Sequence, residues 1–305
     1  MTRWFLVVTC AFGAVFIERG QAAPAPVKDV KVAFNKSATD RELVEQDAEL
    51  TIDDQARKVA VKHKEHPLDV AFDDVQKVVF DTSTHMRGGG LGRALGGLAG
   101  AAISAHHVTD SWCYLEYRGP DSTVKSYMLI VPIEASAALH TQMQALFGDK
   151  VVSADFPEKA VEIEKDTLKD LQSKHDIHID KSNRPMPESN PAKALVVVVC
   201  PKIPSSESTQ IKLHVNDQVA LVNRTGTYGF LYLDPGEYQL VSQSGNASAI
   251  RMTLEAGKEY YFLQETFMGS TKSNTQLTRH TKELVMFQLN ASFHADWKRQ
   301  AGEKP

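Results

Sequence analysis

The run Ala194-Leu195-Val196-Val197-Val198-Val199-Cys200 constrains the fold more than any other part of this sequence. It is too short for a typical globular helix, and β-branched valines are stiff side chains that favour strands. As a strand it has no polar face, so it suits a position buried on both sides. Further short strands follow. Ile211 to Val215 alternates and turns at Asn216-Asp217; Tyr228 to Leu233 leads into Asp234-Pro235-Gly236, and Glu237 to Val241 leaves it. Ile250 to Leu254, a turn at Gly257, Glu259 to Gln264 and Leu284 to Leu289 complete the set. Short strands at this regular spacing predict an antiparallel β-sandwich over residues 194–290, with 291–305 as a tail.

The first half is also strand-rich. Leu50-Thr51-Ile52, Val59 to His63, Leu68 to Phe72, Val75 to Phe80, Trp112 to Tyr117 and Tyr127 to Val131 read as strands separated by turn residues. After Pro132 the pattern changes period. Leu139, Met143 and Leu146 share one helical face, and Gly148 is a stop signal. The order of elements over residues 45–152 resembles a pleckstrin-homology-like (GRAM-like) barrel closed by its C-terminal helix, with a glycine-rich insert at 87–105. Residues 23–44 read as a flexible lead-in, rich in Ala, Pro, Lys and polar residues. Residues 153–193 read as a solvated charged helix from Pro157 to Lys174, then a Pro-rich linker from Asn183 to Pro191. The fold class is therefore mainly β, α+β overall, in two domains.

The second domain carries a more specific likeness. Leu195–Val199, Leu233-Asp234-Pro235-Gly236-Glu237-Tyr238, and the stretch from Leu254 to Glu265 around Ala256-Gly257-Lys258-Glu259-Tyr260-Tyr261, followed by Met268-Gly269, resemble the mostly bacterial family catalogued as domain of unknown function 2846. The resemblance covers residues 194–290. It implies a β-sandwich of the cell envelope and no particular reaction. Members are commonly exported, often as lipoproteins, whereas this chain has no lipobox cysteine.

The first residues support export independently. Met-Thr-Arg precedes an apolar run from Trp4 to Ile17, with small residues Gly20 and Ala22 at its exit. That is the pattern of a secretory signal peptide, here residues 1–22, and the run is short for a membrane span; an uncleaved anchor is the other reading. Removing Arg3, Glu18 and Arg19 takes a net +1 from the formal charge of −4. The remaining chain of about 283 residues, near −5, offers no electrostatic case for nucleic acid or a polybasic membrane anchor. Cys113 and Cys200 remain, either as two buried thiols or as an interdomain bridge. Sequons stand at Asn35, Asn223, Asn246 and Asn290.

The oddest segment is the glycine-rich one. Gly88, Gly92, Gly96, Gly100 and Ser104 recur every fourth residue, while Leu91, Leu95 and Leu98 lie on another helical face. Small residues at that spacing let helices approach closely, above all in membranes. In water such a helix is weak, since each Gly costs about 1 kcal/mol relative to Ala. Three readings stay open: an insert packed on its own domain, a membrane or self-association element through Gly88, Gly92, Leu95, Gly96, Gly100 and Ser104, or a ligand-cradling loop. It lacks the Gly-x-x-x-x-Gly-Lys-Ser/Thr of a phosphate loop and has no Gly-x-Gly-x-x-Gly register.

His175-Asp176-Ile177-His178-Ile179-Asp180 is the best metal-like cluster, with His175, His178 and Asp180 as candidate ligands. The plainer reading is a polar strand or loop at the linker edge, because spacing alone rarely makes a site. His63/His66, His106-His107 and Asp73-Asp74 are weaker still. Nothing local assembles a nucleophile: there is no Gly-x-Ser-x-Gly and no His-Glu-x-x-His. Tyr260-Tyr261 is expected to split between core and surface, the outward ring being a candidate sugar platform. The sequence thus predicts a non-enzymatic exported protein without a cofactor, binding an envelope protein or membrane as partner. A membrane-associated lipid-binding or oligomeric protein and a metal-dependent enzyme are the alternatives.

Overall fold

The computed structural model describes residues 25–36, 43–87, 106–163, 175–179, 181–202, 209–268 and 273–298. The expected signal peptide, most of the expected charged helix, the glycine-rich positions Gly88, Gly92, Leu95, Gly96, Gly100 and Ser104, and Asp180 lie outside the described residues.

The first unit is built from β1 (Val27–Asn35), β2 (Leu43–Asp53), β3 (Lys58–Lys62), β4 (Leu68–Ala71), β5 (Val75–Arg87), β6 (His106–Arg118), β7 (Val124–Val131), helix α1 (Ile133–Phe147) and β8 (Val151–Ser153). The strands form one sheet in the order β4-β3-β2-β1-β7-β6-β5-β8. Neighbours are antiparallel except β5 and β8. Alternation decides which face is inside. Val59 and Val61 are buried between exposed Lys58 and Lys62, and Leu68 and Val70 alternate with exposed Asp69 and Ala71. Val30, Leu50, Val59, Leu68, Val78, Leu115, Leu129 and Val151 join Leu139, Met143 and Phe147 of α1 in a single core. Side chains from all eight strands meet there, so the sheet curls about α1. It is not closed into a barrel, because the end strands β4 and β8 do not pair. The residues expected as a flexible lead-in instead supply β1, between β2 and β7, with Val30 and Val32 fully buried.

The second unit contains β9 (Val161–Glu162), β10 (Asp176–His178), β11 (Ala194–Cys200), β12 (Ile211–Val215), β13 (Gln218–Asn223), β14 (Thr227–Leu233), β15 (Gly236–Gln243), β16 (Ala247–Leu254), β17 (Glu259–Met268), β18 (Ser273–His280), helix α2 (Lys282–Asn290), β19 (Phe293–His294) and β20 (Asp296–Lys298). Two five-stranded sheets, β18-β17-β11-β14-β19 and β13-β12-β15-β16-β9, face one another, and β10 pairs with β20. Val196, Val198, Leu213, Leu240, Ile250 and Phe262 fill the space between the sheets.

Four expectations change here. The sandwich is mixed rather than antiparallel, because β11 runs parallel to β17 and β14 parallel to β19. Leu284 to Leu289 is helical, not a strand: the Thr281 hydroxyl caps α2 by accepting from the Leu284 N–H. Val161–Glu162, expected in the charged helix, adds a strand beside β16. The expected tail supplies β19 and β20. The turn at Gly257 is as read; its φ of 72° is a backbone state only glycine adopts freely.

The valine run is buried on both faces because the two units share a core. One face of β11 fills the sandwich. The other sets Leu195, Val197 and Val199 against Tyr261, Leu263 and the α2 residues Leu284, Val285 and Leu289. Ala33, Trp112, Met128 and Ile130, on the outer face of the first sheet, close the same cluster. Fully burying such side chains stabilises by about 1.5–3 kcal/mol each. The seam between the units is thus an apolar core in its own right.

Candidate functional site

Polar groups are concentrated along one side of this seam. On β5, Val78 and Phe80 point into the first core, so Asp81 and Ser83 point to the seam. A carboxylate in an apolar strand needs partners, and Asp81 has them. Its Oδ1 accepts from the Thr82 N–H at 2.7 Å and faces Nδ1 of His280 at 3.1 Å. Its Oδ2 accepts from the Thr281 N–H at 2.7 Å and from the Thr281 hydroxyl at 2.8 Å. Asp81 therefore sits at the N-terminus of α2, where a negative charge is favoured.

The network continues from His280. Two residues apart on β18, Thr278 and His280 share a face, and the His280 Nε2 lies 2.7 Å from the Thr278 Oγ1. Glu265 of β17 has its Oε2 at 3.2 Å from the same hydroxyl. The result is a chain Asp81–His280–Thr278–Glu265 that crosses from one unit to the other. Burial raises the pKa of Asp81, but the hydrogen bond and charge of His280, with the N–H and hydroxyl of Thr281, outweigh it and hold the group below the usual carboxylate range.

This chain forms one wall of a cleft of about 540 Å³. Asp81 and Thr82 come from β5, and Phe156 and Glu158 from the segment that crosses between the units. Thr278 and Arg279 come from β18, an edge strand whose two faces both reach the opening. Arg279 is fixed from three sides. It donates to Glu158 Oε1 at 2.7 Å and lies over the rings of Phe156 at 4.6 Å and Tyr260 at 5.0 Å. The buried Glu158 Oε2 has no hydrogen-bond partner. A smaller hollow of about 110 Å³ lies along the same seam, lined by Ser83, Trp112, Lys202, Leu263 and Thr266. Glu265 lines both. There the Trp112 indole donates to the Ser83 Oγ at 2.8 Å.

The residues singled out from the sequence fall elsewhere. His175 is buried with its ring edge against Trp297, while His178 is exposed on the other face of β10. Among the described residues, no group of three or more His, Cys, Asp or Glu is arranged to hold a metal ion. His63 is engaged by Gln46 and by the backbone N–H groups of Glu65 and His66, and the His66 ring lies tilted against Phe34. Tyr260 enters the sandwich core and Tyr261 the seam, so neither ring offers a platform outward. Cys113 and Cys200 are free, buried thiols rather than a bridge. Of the sequons, Asn223 is buried and bonded to Gln264.

Sequence reasoning missed Asp81, Glu265, Thr278 and His280. Asp81 and His280 stand 199 positions apart, beyond any local motif. The available signal was a charged residue breaking the apolar strand Val78-Val79-Phe80-Asp81, a buried-charge warning. Comparison of this chain with known proteins finds no matching family model, no matching curated protein and no matching solved structure.

Proposed function

We propose that this chain is an exported envelope or secreted protein that acts by binding or assembly rather than catalysis, with the seam cleft as its contact. Export rests on the signal-like residues 1–22. One observation carries the cleft: its walls come from two units joined by a common apolar core, so the opening is formed before any ligand arrives. The chemistry of the chain supports binding over covalent catalysis. A Thr278 alkoxide would develop beside the Glu265 carboxylate at 3.2 Å, where negative charge is opposed rather than stabilised. The residues behind the proposed family likeness have structural places, Gly257 in a turn and Tyr260 and Tyr261 in two cores.

The test is a photo-crosslinker at Lys159, on the cleft lining, introduced into protein in its native envelope or secretion medium. A discrete adduct that is absent with the crosslinker at exposed Asp54, away from the cleft, supports the reading. A hydrolytic or transferase activity lost in Thr278→Val contradicts it.

One observation favours a second reading, a membrane or self-associating role for residues 88–104. Pairing of β5 with β6 continues to Arg87 and His106, while β6 pairs with β7 only from Ser111 and β5 with β8 only to Phe80. A two-stranded ribbon therefore leads to the glycine-rich segment. Leu95→Lys should abolish membrane fractionation or shift oligomer size; unchanged values end this reading.

A further inference from the structure

We infer that the seam cleft holds a carboxylate, contributed by an acidic side chain of a protein partner, on the unused edge of Arg279. The inference rests on the cleft being the contact surface, and it names what that contact recognises. A guanidinium carries five N–H donors in one plane. Among the described residues Arg279 uses Nη1 alone, toward Glu158 Oε1 at 2.7 Å. The rings of Phe156 and Tyr260 lie beside it and offer no oxygen to its edges. The Nε–H and the Nη2 hydrogens thus form an open edge on a side chain that lines the cleft and is only 19% exposed. Holding a charge that far out of water with its donors unmet is unfavourable, and an acceptor in the cleft relieves it. Two parallel N–H groups match the two oxygens of a carboxylate. Glu158 is then a positioning residue, which holds Nη1 and leaves the Nε edge to the ligand.

Charge selects a carboxylate over other anions. Lys159 follows Glu158 on the lining, exposed and without an ion-pair partner among the described residues. Arg279 and Lys159 against Glu158 leave one positive charge on this wall. Thr278 and His280 project from the other face of β18, which puts the Asp81–Glu265 chain across the strand from Arg279. A carboxylate matches that single charge, whereas a phosphate brings up to about two negative charges beside Glu158. Gln276 favours a peptide as the carrier. Its side-chain amide lines the cleft and makes no hydrogen bond among the described residues. It supplies the donor and the acceptor that complement a peptide group. A cleft of about 540 Å³ also lies in the size range of sites that take a small ligand or a short stretch of chain.

The test uses the full chain labelled with ¹⁵N-arginine, the Arg279 Nε–H signal being identified by its loss in Arg279→Lys. A blocked Glu-rich peptide, glucuronate and inorganic phosphate are each titrated in at one ionic strength, and calorimetry gives the affinities. The peptide should shift the Nε–H signal saturably, and phosphate should not. Arg279→Lys should weaken the peptide about tenfold, and Lys159→Gln about threefold. Glu158→Gln keeps an oxygen for Nη1 and removes the neighbouring negative charge, so it should tighten the peptide about threefold. No shift with the peptide, an equal response to phosphate, or unchanged affinity in Arg279→Lys would overturn the carboxylate site. Glucuronate binding as tightly as the peptide would overturn the protein partner. Should Arg279→Lys not fold, the opposed changes in Lys159→Gln and Glu158→Gln decide, and equal affinities in both would overturn the site. A crosslinker at Lys159 removes only that threefold share, so the two tests stay separable. An adduct without an Arg279 shift would leave the cleft as the contact and remove this subsite. A shift without an adduct would leave the subsite and remove the wider contact.

Discussion

Replacing Asp81 by Ala removes the acceptor shared by the Thr281 N–H, the Thr281 hydroxyl and His280 Nδ1. All three donors belong to residues buried in the seam. Leaving a buried donor without its acceptor costs about 1–3 kcal/mol for each group. Asp81→Asn keeps the volume and one carbonyl oxygen but turns an amide N–H₂ toward existing donors. The price of leaving a donor unsatisfied sets that loss at about 1–3 kcal/mol. The pH dependence follows from the lowered pKa of Asp81. A carboxyl with a folded pKa below its unfolded value contributes stability that is present above the unfolded value and lost as pH falls through the folded one. The gap between wild type and Asp81→Ala should therefore be full at neutral pH, hold to about pH 4, and close below it. Urea unfolding at neutral pH and at successively lower pH measures the gap. A loss under about 1 kcal/mol at neutral pH, or a gap that does not shrink in acid, would refute the reasoning.

The cysteines give a second prediction. Burial pushes the Cys113 thiol up to about 12 and raises Cys200 as well, so neither should react with iodoacetamide in the native protein. Both should react once guanidinium unfolds the chain, and native alkylation of either would contradict the packing. At Gly257, where φ is 72°, Ala should cost about 1 kcal/mol in the same urea assay, and an unchanged midpoint would show that the turn relaxes.

Much of the architecture was legible because it is local. The alternation at Val59/Val61 and Leu68/Val70, the i, i+4 pair Leu139/Met143, and Gly148 after α1 each announce their element within a few residues. The valine run announced two covered faces, but not that the second cover is another unit's sheet, since Trp112 and Ile130 are remote in sequence. Strand β1 was hidden because Val30 and Val32 lie among Lys, Asp and Ala. At Leu284 to Leu289 a dense apolar run masked the helix, though Thr281 and Glu283 stand where a cap and a first-turn acid belong. The parallel pairing of β11 with β17 has no local signature. The candidate site was illegible for the same reason, since its members meet only after both units fold. The histidines with suggestive spacing went to packing instead: His175 lies against Trp297, and His66 against Phe34.

The central claim is that one apolar seam makes the two β-rich units a single body and so fixes the cleft walls. Native-state hydrogen exchange on wild type and Leu284→Ala tests it most directly. Leu284 belongs to the second unit and is buried in the seam, so its truncation should cost about 2–5 kcal/mol. The slowest amides of β7 in the first unit and of β17 in the second should share one opening free energy, and both should drop by that same amount. Protection in β7 left unchanged while β17 alone loosens would mean that the units open independently, and the account of the seam would be wrong.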